Sequence, residues 1–246
     1  VTLGMLALVF GGGTLVLSGL LPFIVKPLLM RLGIMDVPSD RSSHDRPILR
    51  GLGLAVLIAI TVNLGAVFAF ALSAAPDASA WKFLLAIGIG TLAAGLLGLG
   101  EDLRGLSVPV RSALLLIIAG ASSASLLWIA DQAEGPASFR WVLGLDVWAL
   151  PLWGLIIIGV YGVFFISSYI NVSNFMDGLN GISGFHGVIA GLAFAVAGWL
   201  TGAVWLAIAG LVLAAGFAGF LPWNLTKPGA FLGDVGSYLL GEPSRS

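Results

Sequence analysis

A chain of 246 residues that is 59% hydrophobic and 9% charged, with net charge −1, is not an ordinary soluble domain, since such domains carry about 25% charged residues. A mean hydropathy of +1.06 places it in a membrane. Eleven basic residues, thinly spread, form no nucleic-acid patch, and the lack of Cys removes disulfides, thiolate chemistry and Cys-based zinc sites.

A spanning helix needs about 20 apolar residues. In chain order such runs cover 3–25, 52–74, 83–99, 113–130, 152–170, 185–200 and 203–221, and an eighth starts near Tyr238. The expected fold is therefore all-α and polytopic: one transmembrane domain over 1–246, with seven complete spans and a cut-off eighth. The N-terminus lacks the basic n-region of a signal peptide, so the first run is expected to be retained. Residues 27–35 read as a short interfacial helix. Two aromatic-rich runs around Gly144 predict a small β-hairpin between the fourth and fifth spans.

Basic residues in short loops set orientation. Lys26, Arg31, Arg41, Arg46, Arg50, Arg104, Arg111 and Lys227 fall on one side, against Lys82 and Arg140 on the other. The first side is expected to be cytoplasmic, with the N-terminus and the hairpin periplasmic. The eight Trp, at 81, 128, 141, 148, 153, 199, 205 and 223, all fall at proposed span ends, the place of an aromatic belt.

Four polar islands interrupt the hydrocarbon, all on the basic side. The first, 36–53, mixes Arg41, Ser43, His44 and Arg50, all potential donors to phosphate, and its Gly51-Leu-Gly53 leads into the second span. The second holds adjacent Glu101 and Asp102, whose mutual repulsion needs a cation or Arg104 to offset it. The third, 171–184, carries Asn171, Asn174, Asp177 and Asn180 among glycines; helical spacing would put 174 and 177, and 177 and 180, on shared faces. The fourth, 223–237, contains Asn224 and sets Asp234 between Gly233 and Gly236. Singly, each also fits a blander role: a solvated loop, a hydrated helix end, polar interhelix packing, a turn. Together they offer oxygen ligands without a His pair, which favours Mg²⁺ or Mn²⁺ over zinc. Carboxylates repel phosphate, so a shared site calls for a bridging divalent cation, the logic of phosphoryl transfer. A position in the membrane points to a lipid as one substrate.

In this order the islands resemble the polyprenyl-phosphate N-acetylhexosamine-1-phosphate transferase superfamily (glycosyltransferase family 4). The segments that carry the resemblance are Asp36-Val-Pro with Arg41-Ser-Ser-His44 and Arg50-Gly51, Gly98…Glu101-Asp102, Asn171…Asn174-Phe-Met-Asp-Gly…Asn180-Gly, and Phe231-Leu-Gly-Asp-Val-Gly-Ser237. The first of these looks like the undecaprenyl-phosphate GlcNAc-1-phosphate, O-antigen-initiating branch. The resemblance implies transfer of a sugar-1-phosphate from a UDP-sugar to undecaprenyl phosphate, with release of UMP, in the bacterial inner membrane with a cytoplasmic site. It implies Mg²⁺ (or Mn²⁺) on Asn174 and Asp234, with Glu101 and Asp102 by the lipid phosphate in a role as base; because the first position here carries the longer Glu101, Asp102 is the expected base and Glu101→Asp the change expected to be tolerated. It places Asp177, Asn180 and the loop of Asn224 near the nucleotide, with Asn171 beside them and the first loop implicated more loosely. Three departures stand out: Glu101 and Asn180 where the family usually has Asp, and an end at Ser246 where the family continues for several helices and a His-rich loop. That end predicts a fragment, an early stop or a frameshifted end. The oligomeric state is open, a homodimer included. The rivals are an ion-coupled transporter, disfavoured because every acid falls outside the proposed spans, and a truncated non-catalytic paralogue.

Overall fold

The computed structural model describes residues 3–36, 48–74, 80–132, 141–142, 145–146, 150–176, 181–226 and 232–238. Seven helices among them are long and apolar enough to cross a membrane. The first is composite: α1 (Leu3–Leu6), a π-helical turn (Ala7–Gly11), α2 (Gly12–Leu20) and α3 (Pro22–Arg31). The rest are α4 (Gly53–Ala74), α5 (Ala80–Arg104), α6 (Val108–Gln132), α7 (Leu152–Met176), α8 (Ile182–Thr201) and α9 (Val204–Leu225), followed by a single-turn α10 (Gly233–Ser237). The all-α polytopic fold is thus observed, with two small additions. β1 (Met35–Asp36) pairs antiparallel with β2 (Ile48–Leu49), and β3 (Trp141–Val142) with β4 (Leu145–Asp146), the latter around Gly144.

The helices outrun their apolar segments, and this corrects the expected boundaries. α5 continues to Arg104 and so takes Glu101 and Asp102 into its last turn; α6 starts at Val108, and α7 reaches Met176. Hydropathy falls at the first polar residue, whereas a helix ends where its backbone must turn. That turn comes at Gly105 (φ +62°) after α5 and at Gly181 (φ +93°) before α8, conformations that favour glycine. Glu101 and Asp102 therefore lie inside a spanning helix, at its terminal turn, and their position does not by itself disfavour a transporter. Residues 27–35 form no separate interfacial helix either: α3 runs from Pro22 through Pro27 to Arg31, held by buried Val25 and Leu29. Pro222 likewise sits inside α9.

α9 is the central post. Its most apolar stretch is 56% buried, against 11% for α7 at the periphery. Small residues let backbones close in around it, as in membrane packing generally. A Cβ at Gly191 of α8 would stand 2.7 Å from Gly210 O, and one at Gly219 of α9 would stand 2.6 Å from Leu15 O. Ser18 Oγ donates to Gly216 O at 2.5 Å and Trp223 Nε1 to Gly19 O at 3.0 Å, so α2 and α9 are also tied by polar links. Phe83 stacks on buried Trp205 with centroids 4.6 Å apart. Trp81, Trp128, Trp153, Trp199 and Trp205 stand at helix ends on one side of the bundle, and Trp223 on the other.

Candidate active site

Three of the islands meet at the end of the bundle that carries Trp223. Asp102, in the last turn of α5, has a fully enclosed side chain. Its Oδ1 takes Arg50 Nε at 2.9 Å, and its Oδ2 accepts the Val235 N–H of α10 at 2.8 Å. One carboxylate thereby joins the first, second and fourth islands. The β1–β2 pair, with Arg50 N–H on Ile34 O at 3.3 Å, fixes the segment that delivers Arg50. Gly53 N–H donates to Leu232 O at 2.8 Å, so the start of α4 and the entry to α10 are in backbone contact. That contact excludes side chains. A Cβ on Gly233, which also holds φ +73°, would lie 2.5 Å from Gly51 Cα and 2.8 Å from Asp102 Oδ2. A Cβ on Gly53 would lie 2.5 Å from Leu232 O.

Glu101 points elsewhere, since adjacent helical residues diverge by about 100°. Its Oε2 accepts Leu106 N–H at 3.0 Å and its Oε1 stands 3.7 Å from Arg111 Nη1, both side chains being largely buried. The repulsion expected within the acidic pair is thus met by two different cations, Arg50 and Arg111. Arg104, the cation expected there, is exposed. In the sequence Arg111 bears on topology alone; its place a short loop beyond the acidic pair, in the first turn of α6, is the available signal. The methylene that distinguishes Glu101 from Asp gives it the reach to close the α5–α6 turn.

The third island is partly in view. Asn171 Nδ2 donates to Ser167 O at 2.8 Å, one turn back along α7. Asn174 lies in the last turn of α7, and Asp234 is the second residue of α10; their backbones are described but not their side chains. Arg41, Ser43, His44, Asp177 and Asn180 lie outside the described residues, and with them the helical spacing expected from 174 to 180. Asn224, 3% exposed at the end of α9, accepts a hydrogen bond on Oδ1 from the Gly181 N–H, so the fourth island holds the exit of the third. A link not foreseen from sequence is Tyr169 OH to His186 Nε2 at 2.7 Å, which ties α7 to α8 on either side of that island. Its signal was a lone His one turn into an apolar run.

Glu101 and Asp102 are each matched by a guanidinium group and each accept a backbone N–H, so both act here as anchors of backbone. Among the described residues no three His, Cys, Asp or Glu side chains converge on one point. α7, which carries Asn174, and α10, which carries Asp234, are in contact.

The family model described as "Glycosyl transferase family 4" matches residues 84–242. The chain is 29% identical over 219 residues to a probable undecaprenyl-phosphate N-acetylglucosaminyl 1-phosphate transferase of Bacillus subtilis, covering 89% of this chain and 55% of that protein. It is 30% identical over 230 residues to the decaprenyl-phosphate N-acetylglucosaminephosphotransferase of Mycobacterium tuberculosis, covering 88% and 53%. It is 28% identical over 235 residues to a phospho-N-acetylmuramoyl-pentapeptide-transferase of Synechococcus, covering 87% and 61%. The chain spans about half the length of the first two. With the family model matching well over half of its residues, and with that match running through the acidic pair, Asn174 and Asp234, the chain belongs to glycosyl transferase family 4.

Proposed function

We propose that this chain carries the site that transfers an N-acetylhexosamine-1-phosphate from a UDP-sugar to undecaprenyl phosphate, in the inner membrane and from its cytoplasmic face. A lipid-phosphate oxygen attacks the sugar-bearing phosphorus of the nucleotide sugar, the bond to the bridging oxygen breaks, and UMP leaves with that oxygen. The product is a lipid-linked diphosphosugar that starts a cell-envelope glycan such as O-antigen lipopolysaccharide. The junction at Asp102 supports this most directly, because it holds motifs from three distant parts of the chain at one membrane surface.

The donor chemistry fits Mg²⁺ or Mn²⁺, with Asn174 and Asp234 as the residues that would hold it. Bound there, the cation supplies charge neutralisation on the diphosphate. Asp102 and Arg50 keep α10, and with it Asp234, against the start of α4. Asn224 holds the exit of the loop that bears Asp177 and Asn180, on the side assigned to the nucleotide. Arg41, Ser43 and His44 of the first island would supply further phosphate-binding groups.

The test is UMP release by the full-length protein with undecaprenyl phosphate and a panel of UDP-sugars, including GlcNAc, FucNAc and QuiNAc, with and without EDTA. Release with one sugar, lost in EDTA, is expected. A folded protein that releases no UMP with any donor would make the chain a non-catalytic relative.

Orientation is tested separately. A Cys at exposed Ser107 should be blocked only by reagent reaching the cytoplasm, and one at Ser79 only from outside. Ser173 is 4% exposed and unsuited to labelling. External, impermeant labelling of Ser107→Cys would reverse the orientation.

A further inference from the structure

At the end of the bundle away from the acidic pair, α5 and α6 leave a groove of about 480 Å³ between them. Its floor is made of small side chains, Ala86 and Gly90 from α5 and Ala121 and Ser122 from α6. A Cβ on Gly90 would stand 2.9 Å from Ser122 Oγ, so the floor is about as low as two packed helices allow. Trp81 and Trp128 flank the mouth, where indole rings sit at the headgroup level. The groove extends along α5 from Lys82 to Ala93. Eleven steps of 1.5 Å each make about 16 Å, roughly half of a ~30 Å hydrocarbon core. That is the depth of one leaflet, too short for a spanning partner helix and matched to one acyl chain.

Lys82 is the feature that selects the occupant. It stands in the first turn of α5, where the helix dipole disfavours a cation. It is also the lone Lys or Arg described at that end of the bundle. Its Nζ lies 5.8 Å from the Trp81 ring centroid, and Asp131, the acid described on α6 at that end, forms no ion pair with it. A cation so placed, at the mouth of a one-leaflet apolar groove, calls for an anion borne on a hydrocarbon chain. We propose that this groove binds an anionic phospholipid, with its phosphate at Lys82 and one acyl chain along the floor to Ala93.

The experiment is native mass spectrometry of the detergent-solubilised protein titrated with phosphatidylglycerol or phosphatidylcholine. Phosphatidylglycerol should bind about fivefold more tightly, the size expected for one basic side chain beside an anionic headgroup. Lys82→Gln should bring the two lipids level, and Lys82→Arg should keep the preference. Ala121→Trp, at an exposed position on the floor, should remove the bound lipid while the melting temperature stays near that of the wild type. Equal affinities in the wild type, or full binding by Ala121→Trp, would overturn the proposal. So would a doubled mass lost in Ala121→Trp, which would make the occupant a second copy of the chain.

Discussion

Asp234→Ala is expected to leave transfer at or below the detection limit at every Mg²⁺ concentration, while Asn174→Asp keeps a measurable fraction. The reason lies in how α10 is held. Gly233 packs on Gly51 and Asp102, Val235 N–H is bound by Asp102, and Gly236 packs on Gly53. Every neighbour of Asp234 is fixed through its backbone, so deleting the Asp234 carboxylate should leave α10 in place. Under the proposed assignment, what is lost is one oxygen ligand and one negative charge. A ligated cation contributes several kcal/mol to such transfers, and each ~1.4 kcal/mol is tenfold in rate, so a loss on the order of 10²–10³-fold or more is expected. Asn174→Asp keeps an oxygen donor. The readouts are UMP release and Mn²⁺ binding by electron paramagnetic resonance. Mn²⁺ binding unchanged in Asp234→Ala would remove Asp234 from the ligand set even if turnover fell. Gly233→Ala makes the contrasting control: its Cβ meets Gly51 and Asp102, so it should disturb the whole junction and lower thermal stability, which Asp234→Ala should not.

The spans were readable because hydropathy over about 20 residues is a strong signal in a chain that is 9% charged. The grouping of the islands on one side followed from parity, and the contacts among Arg50, Asp102, Val235, Asn224 and Gly181 agree with it. The helix ends were not readable from hydropathy, because Glu101, Asp102 and Asn171 continue their helices once side-chain and terminal hydrogen bonds satisfy the backbone. Leu106 N–H on Glu101 is one such bond. Pairings across the sequence were hidden for a different reason. Arg50 with Asp102, and Glu101 with Arg111 rather than Arg104, depend on which face of α5 each acid occupies, and composition carries no such direction. A glycine in a sequence also does not say what fills the space beside it: Gly53, Gly233 and Gly236 make room for neighbouring backbone, which is how five residues of α10 hold a fixed place.

Asp102 and Arg50 should behave as one unit. The sequence made Asp102 the expected base on lipid phosphate, yet its carboxylate is fully enclosed and both oxygens are engaged, by Arg50 and by Val235 N–H. A base must come within about 3 Å of its proton, directly or through one water, and this one faces a guanidinium and an amide. Lipid phosphate is also largely ionised near neutral pH, as phosphate monoesters are with a second pKa of about 6, so the reaction does not require a base. The geometry makes Asp102 a positioning residue that fixes Asp234 through α10. Asp102→Asn should then cost on the order of 10²-fold in turnover, because the amide turns an N–H toward Arg50 or withdraws an acceptor from Val235. Removing one partner of a buried pair costs about 3–5 kcal/mol; the figure is smaller here, since the Arg50 side chain is 35% exposed and water offsets part of its loss. Arg50→Gln should produce a similar fall, and the double variant should be no worse than the worse single one. Independent, multiplying losses, with Arg50→Gln nearly silent, would restore Asp102 as a base. Glu101 supplies the comparison. Glu101→Gln keeps an acceptor for Leu106 N–H and gives up an ion pair that is already loose at 3.7 Å, so it should lose part of the turnover, whereas Glu101→Asp, expected from sequence to be tolerated, is now expected to lose more, because the shorter chain cannot span from α5 to both Leu106 and Arg111. The reverse order, with Asp tolerated and Gln inactive, would mean that the charge of Glu101, not its reach, is what the site uses.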